Sequence, residues 1–169
     1  MTYEIRRLGP ADAEAYRLVR LDALRLHPEA FSTDYADEAA LSPAQWADRL
    51  TIPGLIRFGG FARNDLVGLA GLHLHSGAKQ RHKAELFSMY VDVAHRGTGL
   101  ARLLVASVID EAREAGALVL HLSVTVGDVP AQQFYRRMGF VVYGIERRSL
   151  FVNGVFHDEE LMALDLERV

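Results

Sequence analysis

Cysteine is absent from the 169-residue chain. Its absence removes disulfides, thiolate metal sites and a cysteine acyl-enzyme, and it means that no oxidising compartment is required. No apolar run approaches the ~18 residues of a membrane-spanning helix, and the opening stretch MTYEIRRLGP lacks the apolar core of a signal peptide. The expectation is a cytoplasmic protein without a membrane partner. A strong excess of one charge is also missing: the net charge is -3, which argues against broad nucleic-acid binding. No Gly-x-Ser-x-Gly nucleophile motif occurs, and no internal repeat, linker or low-complexity segment divides the chain. What is present is a half-hydrophobic, 24% charged sequence, enough for one compact domain over 1–169 with a sizeable core.

Hydrophobic periodicity and turn residues divide the chain into alternating elements. Thr2 to Leu8 reads as a strand, and Pro10 opens a helix with Ala15, Leu18, Val19, Ala23 and Leu26 on its apolar face, stopped by Pro28. Glu29 to Leu41 reads as an acidic irregular loop. Ser42-Pro43 then caps a helix to about Leu50. Strands over 55–62 and 66–75 form a hairpin through Arg63-Asn64-Asp65, and a third strand runs from Ala84 to Val93. A helix over 99–115 presents Leu100, Leu103, Leu104, Val108 and Ala112 and ends at Gly116. A strand over 118–124 and a short helix over 131–138 introduced by Asp128 and Pro130 follow. Two last strands, 140–150 and 155–166, flank the hairpin turn Asn153-Gly154. Unbroken alternation of strands and helices indicates a sheet covered by helices.

The most informative stretch is ELFSMYVDVAHRGTGLAR at 85–102, where a strand-like run ends in a glycine-rich turn and a helix begins. The first N–H groups of a helix have no partner within it, and the helix dipole favours negative charge there, so this order makes a phosphate cradle. A P-loop needs Lys-Ser or Lys-Thr after its second glycine, whereas Gly99 is followed by Leu100-Ala101. A dinucleotide-binding fingerprint belongs to a first strand-helix unit with an acid about 20 residues on, and neither condition is met.

With these alternatives set aside, the residues resemble the GNAT superfamily of acyl-CoA-dependent N-acetyltransferases. Arg96, Gly99 and Ala101 match that family's turn in register, and Val91-Asp92-Val93 is similar to its Val-Asp-Pro strand end with valine in place of proline. Ala131-Gln132-Gln133-Phe134-Tyr135-Arg136-Arg137-Met138-Gly139-Phe140 resembles its downstream helix. The resemblance implies an α/β fold (α+β in some schemes) with a mixed, mostly antiparallel central sheet of about seven strands flanked by helices, splayed at the strand ending near Val93. It implies acetyl-CoA as co-substrate in that cleft. Met89, Tyr90 and Val91 would pair with the pantetheine arm, one of their N–H groups would polarise the thioester carbonyl, and the run Gly97, Thr98, Gly99, Leu100, Ala101 and Arg102 behind Arg96 would hold the pyrophosphate.

Acyl transfer to an amine then assigns further roles. Aminolysis of a thioester passes through an oxyanion that a fixed donor stabilises. Tyr135 is the candidate general acid for the departing thiolate, or else a core aromatic beside Phe134. An alkylammonium is mostly protonated at pH 7, so a base or a water relay is needed. Glu85 is one candidate and His121 a second, against an ordinary strand carboxylate and a hydrogen-bonded histidine. Ser123 falls where ribosomal-protein N-acetyltransferases of the family have glutamate, which argues against that branch. Asp128 stands where many members have a coenzyme-binding asparagine; it has lost the donor, so it contacts the coenzyme in altered form or simply caps the following helix. His73 and His75 could suggest a metal with His82, but their spacing leaves the third ligand unspecified, and no metal is expected. Lys79-Gln80-Arg81-His82-Lys83 reads as a solvated loop. Asp34, Asp37 and Glu38, with Asp158, Glu159 and Glu160, could attract a cationic amine. The expected activity is direct transfer of acetyl from acetyl-CoA to a primary amine of a small molecule or peptide, by a chain that could pair as a homodimer. The alternative is a catalytically weak coenzyme-binding or sensing module.

Overall fold

A computed structural model describes residues 2–167. Seven strands form one sheet: β1 (Tyr3–Arg7), β2 (Leu55–Ala62), β3 (Asp65–Leu74), β4 (Lys83–Val91), β5 (Val119–Thr125), β6 (Val141–Val152) and β7 (Val155–Asp165). Their spatial order is β1-β2-β3-β4-β5-β7-β6. Every neighbouring pair is antiparallel except β4 and β5. The hairpin turn at Asn153-Gly154 has φ of 49° and 82°, the left-handed pair that a two-residue turn needs and that asparagine and glycine tolerate best.

The parallel pair is short. Only Lys83, Ala84 and Glu85 pair with Val119, Leu120 and His121, after which the strands part and leave a V-shaped gap open towards Val91 and Thr125. Beside that gap β4 carries a bulge: Leu69 pairs with Tyr90 and Gly71 with Phe87, so Ser88 and Met89 oppose Ala70 alone. Ser88 takes φ of 52°. A bulge interrupts the ladder and re-aims the chain, which frees backbone donors where β4 borders the gap.

Five helices cover the sheet: α1 (Ala13–Leu26), α2 (Tyr35–Ala39), α3 (Pro43–Asp48), α4 (Leu100–Glu114) and α5 (Val129–Arg137). On one face, Leu100, Leu104, Val105 and Val108 of α4 meet Phe58, Ala70, Leu72, Leu86, Leu120 and Met162, with Tyr135 and Phe140 at the side. On the other, Tyr16, Leu21 and Trp46 meet Phe61, Leu66 and Leu69.

Three expectations fail, the simplest being Leu103, which was placed on the apolar face of α4 but is exposed. The acidic stretch after Pro28 is not irregular, because Asp34 caps Ala36 N–H and α2 follows. The apolar face of α1 is also rotated from the one read in the sequence: Tyr16, Arg20, Leu21, Ala23 and Leu24 are buried, whereas Leu18 and Leu26 are half exposed. Periodicity was satisfied by two overlapping faces, and a buried ion pair at Arg20 decides between them.

Candidate active site

The anion cradle is built by two glycines and one close helix-sheet approach. Gly97 and Gly99 have φ of 72° and 93°, and an added Cβ at either would meet nothing. Glycine is therefore needed there for its backbone conformation, not for space. Leu103 N–H makes the first helical bond of α4, to Gly99 O. The N–H groups from Gly97 to Arg102 find no partner among the described residues. Leu100 is wholly buried over the facing glycines Gly60 and Gly68, where an added Cβ would come within 2.6 and 3.1 Å of its side chain. That approach holds the start of α4 down on the sheet.

The splay opens into a cleft of about 720 Å³ lined by Met89, Tyr90, Val91, Arg96, Gly97, Gly99, Ala101, Arg102, Asp128 and Tyr135 among others. Most of the residues expected to hold the coenzyme thus converge. Leu100 and Thr98 do not line it with their side chains: Leu100 is core, and Thr98 donates to His95 O at 2.6 Å and accepts from Tyr3 Oη at 2.9 Å. Arg96 braces the strand end, its Nε donating to Val91 O at 3.1 Å and one Nη lying 2.9 Å from His27 Nε2. Asp128 caps α5 by accepting from Ala131 N–H at 3.1 Å while still lining the cleft.

Tyr135 is 7% exposed and packs edge-on against Phe140. Burial, reinforced by the charge of Asp128, pushes its phenol well above the ordinary value, so it stays protonated. Its hydroxyl has no hydrogen-bond partner among the described residues, which leaves it free to donate into the cleft.

A second cavity of about 230 Å³ lies beside the first, and Ala30 and Phe31 line both. This shared wall follows the single turn Pro28–Ala30 and is tied to the sheet by Thr125 Oγ1, which donates to Glu29 O at 2.7 Å. The second cavity receives Glu85, Phe87 and Ser88 of β4, Ser123 of β5, Glu159 of β7, and Arg20, Glu38, Arg49 and Arg57. Glu159 accepts from Ser123 Oγ at 3.1 Å and Ser149 Oγ at 2.5 Å. The carboxylate next to Ser123 is thus supplied from the neighbouring strand.

The acidic clusters read from sequence separate. Glu38 is buried between Arg20 Nε at 3.1 Å and Arg49 Nη1 at 3.2 Å. Burial works to raise its carboxyl, but the bond from Arg20 and the charges of Arg20 and Arg49 hold it below the usual carboxylate range. Glu38 is therefore not available to draw in a free cation. Glu160 pairs with Arg136, Asp158 faces Arg147, and Asp34 is a cap.

His121 is opposite Glu85 in the ladder but lines neither cavity. Burial and then the charge of Lys83 lower its pKa, and its ring packs 5.5 Å from Tyr143. His73 and His75 do meet a third donor, Glu85 and not His82; their ligand atoms lie within 4.8 Å of one another, a set that could hold a divalent cation. Arg20, Arg57, Phe31 and Thr125 were not anticipated. A signal for Arg20 existed in the spacing of Tyr16, Arg20 and Leu24, which puts one arginine in a helical stripe of core residues.

Splayed β4 and β5, a helix start with unpartnered N–H groups and a second cavity across a shared wall make up an arrangement of the acyltransferase class. Residues 19–140 match the family model described as the acetyltransferase (GNAT) family, and the chain belongs to that family. It is 30% identical to the N-alpha-acetyltransferase RimI of Mycobacterium tuberculosis over 137 residues, 81% of this chain and 84% of that protein. It is 41% identical to the streptothricin acetyltransferase of Streptomyces lavendulae over 85 residues, half of this chain but only 43% of that one. Among solved structures, a Salmonella typhimurium protein determined with its cofactor acetyl-CoA superposes with a TM-score of 0.80 at 25% identity, covering 100% of this chain and 96% of that one.

Proposed function

We propose that the chain transfers acetyl from acetyl-CoA directly to a primary amine in a ternary complex, with acetyl-CoA in the larger cleft and the amine in the smaller cavity. The observation that carries this reading is the pair of cavities meeting at Phe31, one edged by six unpartnered N–H groups and the other by carboxylates. An anion and a cation are drawn from opposite sides to one wall. The free N–H groups from Gly97 to Arg102 fit a pyrophosphate, and acetyl-CoA supplies the activated acyl group.

This chain's residues then handle the protons. The acceptor enters as an ammonium, and Glu85, or water beside it, removes a proton to expose the nitrogen lone pair. A nitrogen–carbon bond forms as the carbon–sulfur bond breaks. A backbone N–H at or just after the β4 bulge, from Met89, Tyr90 or Val91, stabilises the negative charge on the carbonyl oxygen. The Tyr135 hydroxyl donates to the departing sulfur, and the second proton of the nitrogen leaves as the amide forms. The net change is one amide, one thiol and one proton from an ammonium and a thioester. His121, opposite Glu85 in the ladder, is the second choice of base. Apolar Val141, Tyr143 and Ile145, more than half exposed on the edge strand β6, are the surface through which two copies would pair. No helix among the described residues is long and apolar enough to cross a membrane.

The test is thiol release from acetyl-CoA across a panel of amines, with a melting curve in parallel. Amine-dependent thiol release is the expected outcome. A coenzyme-induced rise in melting temperature with no release on any amine would instead favour a binding or sensing module, in line with Asp128 serving as a helix cap.

A further inference from the structure

Electrostatics in the smaller cavity narrow the acceptor. Arg20, Arg49 and Arg57 all line it. Glu38 bridges Arg20 and Arg49 but supplies only one negative charge, so these three arginines exceed it by two positive charges. Arg57 has no carboxylate partner among the described residues: its Nε donates to Tyr16 Oη at 3.0 Å, one Nη donates to Arg49 O, and its face rests on Phe87. Arg20 is 5% exposed, and its Nη1 has no hydrogen-bond partner among the described residues. The buried Arg20 donor without an acceptor is costly, and the partly exposed Arg57 beside it adds a charge that no carboxylate offsets. Arg57 and the free donor of Arg20 are therefore suited to an anionic group of a ligand.

The carboxylates enter the cavity from other strands: Arg57 is on β2, whereas Glu85 is on β4 and Glu159 on β7, two and four strands along the sheet. Glu85 and Glu159 line the cavity with Ser88 and Ser123, and neither carboxylate faces a cationic side chain within ion-pair distance among the described residues. The arginines therefore suit a carboxylate and these two glutamates an ammonium. The volume, about 230 Å³, is below the ~300–1,000 Å³ typical of sites for drug-sized ligands.

We infer that the acceptor is a free α-amino acid or a comparably small zwitterion. Its carboxylate pairs with Arg57, Arg20 adds a second charge from behind the Phe31 ring at 4.7 Å, and its ammonium faces Glu85 and Glu159 beside the thioester. A planar guanidinium with two parallel donors suits a carboxylate, and Arg57 still has donors to spare. Polycationic acceptors are disfavoured by the arginines. A peptide N-terminus is disfavoured too, since its α-carbonyl is an uncharged amide. This inference rests on the acetyl-transfer reading for the identity of the reaction but not for its test.

The experiment compares each of the twenty amino acids with its carboxamide, which keeps the amine and removes the carboxylate charge. Binding to the full chain is measured by calorimetry with non-reactive coenzyme A present, and thiol release is measured with acetyl-CoA. At least one amino acid should bind tenfold or more tighter than its amide and show a correspondingly lower KM. In Arg57→Gln the acid-to-amide ratio should fall towards one, whereas Arg57→Lys should keep part of it. Equal affinity for acids and amides throughout, or no binding of any amino acid, overturns the inference. Because the binding arm needs no turnover, failure of all amines to release thiol counts against acetyl transfer alone.

Discussion

Tyr135 and Glu38 show how much one side chain's surroundings decide. Both are buried, yet one keeps a hydroxyl free at a cleft and the other spends both oxygens on arginines. Tyr135→Phe preserves the ring packing against Phe140 and removes only the donor. It should lower kcat by about 10²-fold while calorimetry gives an acetyl-CoA Kd close to that of the parent; equal loss of both would assign Tyr135 to packing. Glu38→Gln leaves Arg20 and Arg49 without a counter-charge, and breaking a buried pair in this way costs about 3–5 kcal/mol, a fall in Tm of roughly 6–20 °C for a domain of this size. The same carboxylate should shape the acid limb of stability. Its folded pKa lies below its ordinary value of 4.5, so its contribution is complete above pH 4.5 and is lost as the pH falls through the folded value. Urea titrations from pH 6 downwards should show a shallower decline in Glu38→Gln than in the parent.

At the scale of elements, the start of α4 is where local sequence and tertiary packing agree most closely. Arg96-Gly97-Thr98-Gly99 was legible because left-handed residues and an uncapped helix start leave a mark in glycine spacing. Gly99→Ala should cost about 1–2 kcal/mol from the left-handed backbone alone, since an added Cβ meets nothing. It should also weaken acetyl-CoA binding, measured by calorimetry, by disturbing the donors that follow. The β4 bulge was less legible. Ser88 takes a positive φ without being glycine, so no residue type announced it. Helix α2 was missed because five residues carry too little periodicity to be told from a loop, and its cap and the Arg20–Glu38 bond supply what propensity does not.

For the whole molecule, two cavities meeting at one wall predict linked behaviour. Acetyl-CoA at about 100 times its Kd should add ~2.7 kcal/mol to stability, or roughly 5–11 °C in Tm. No shift by differential scanning fluorimetry would count against the coenzyme assignment of the larger cleft. The exposed apolar row on β6 predicts concentration-dependent mass in sedimentation, reduced by Tyr143→Lys, which puts a charge on an edge that now offers unpaired backbone and an apolar side chain.

By itself the sequence determined the seven strands, the family and the glycine turn that opens α4, because each of these depends on residues close together in the chain whose spacing follows backbone geometry. The smaller cavity was decided only by tertiary structure. Arg20, Glu38, Arg57, Glu85 and Glu159 come from two helices and three strands. Their charges acquire meaning only when folding brings them together, where a buried guanidinium donor without an acceptor is costly and a ligand's carboxylate can relieve it.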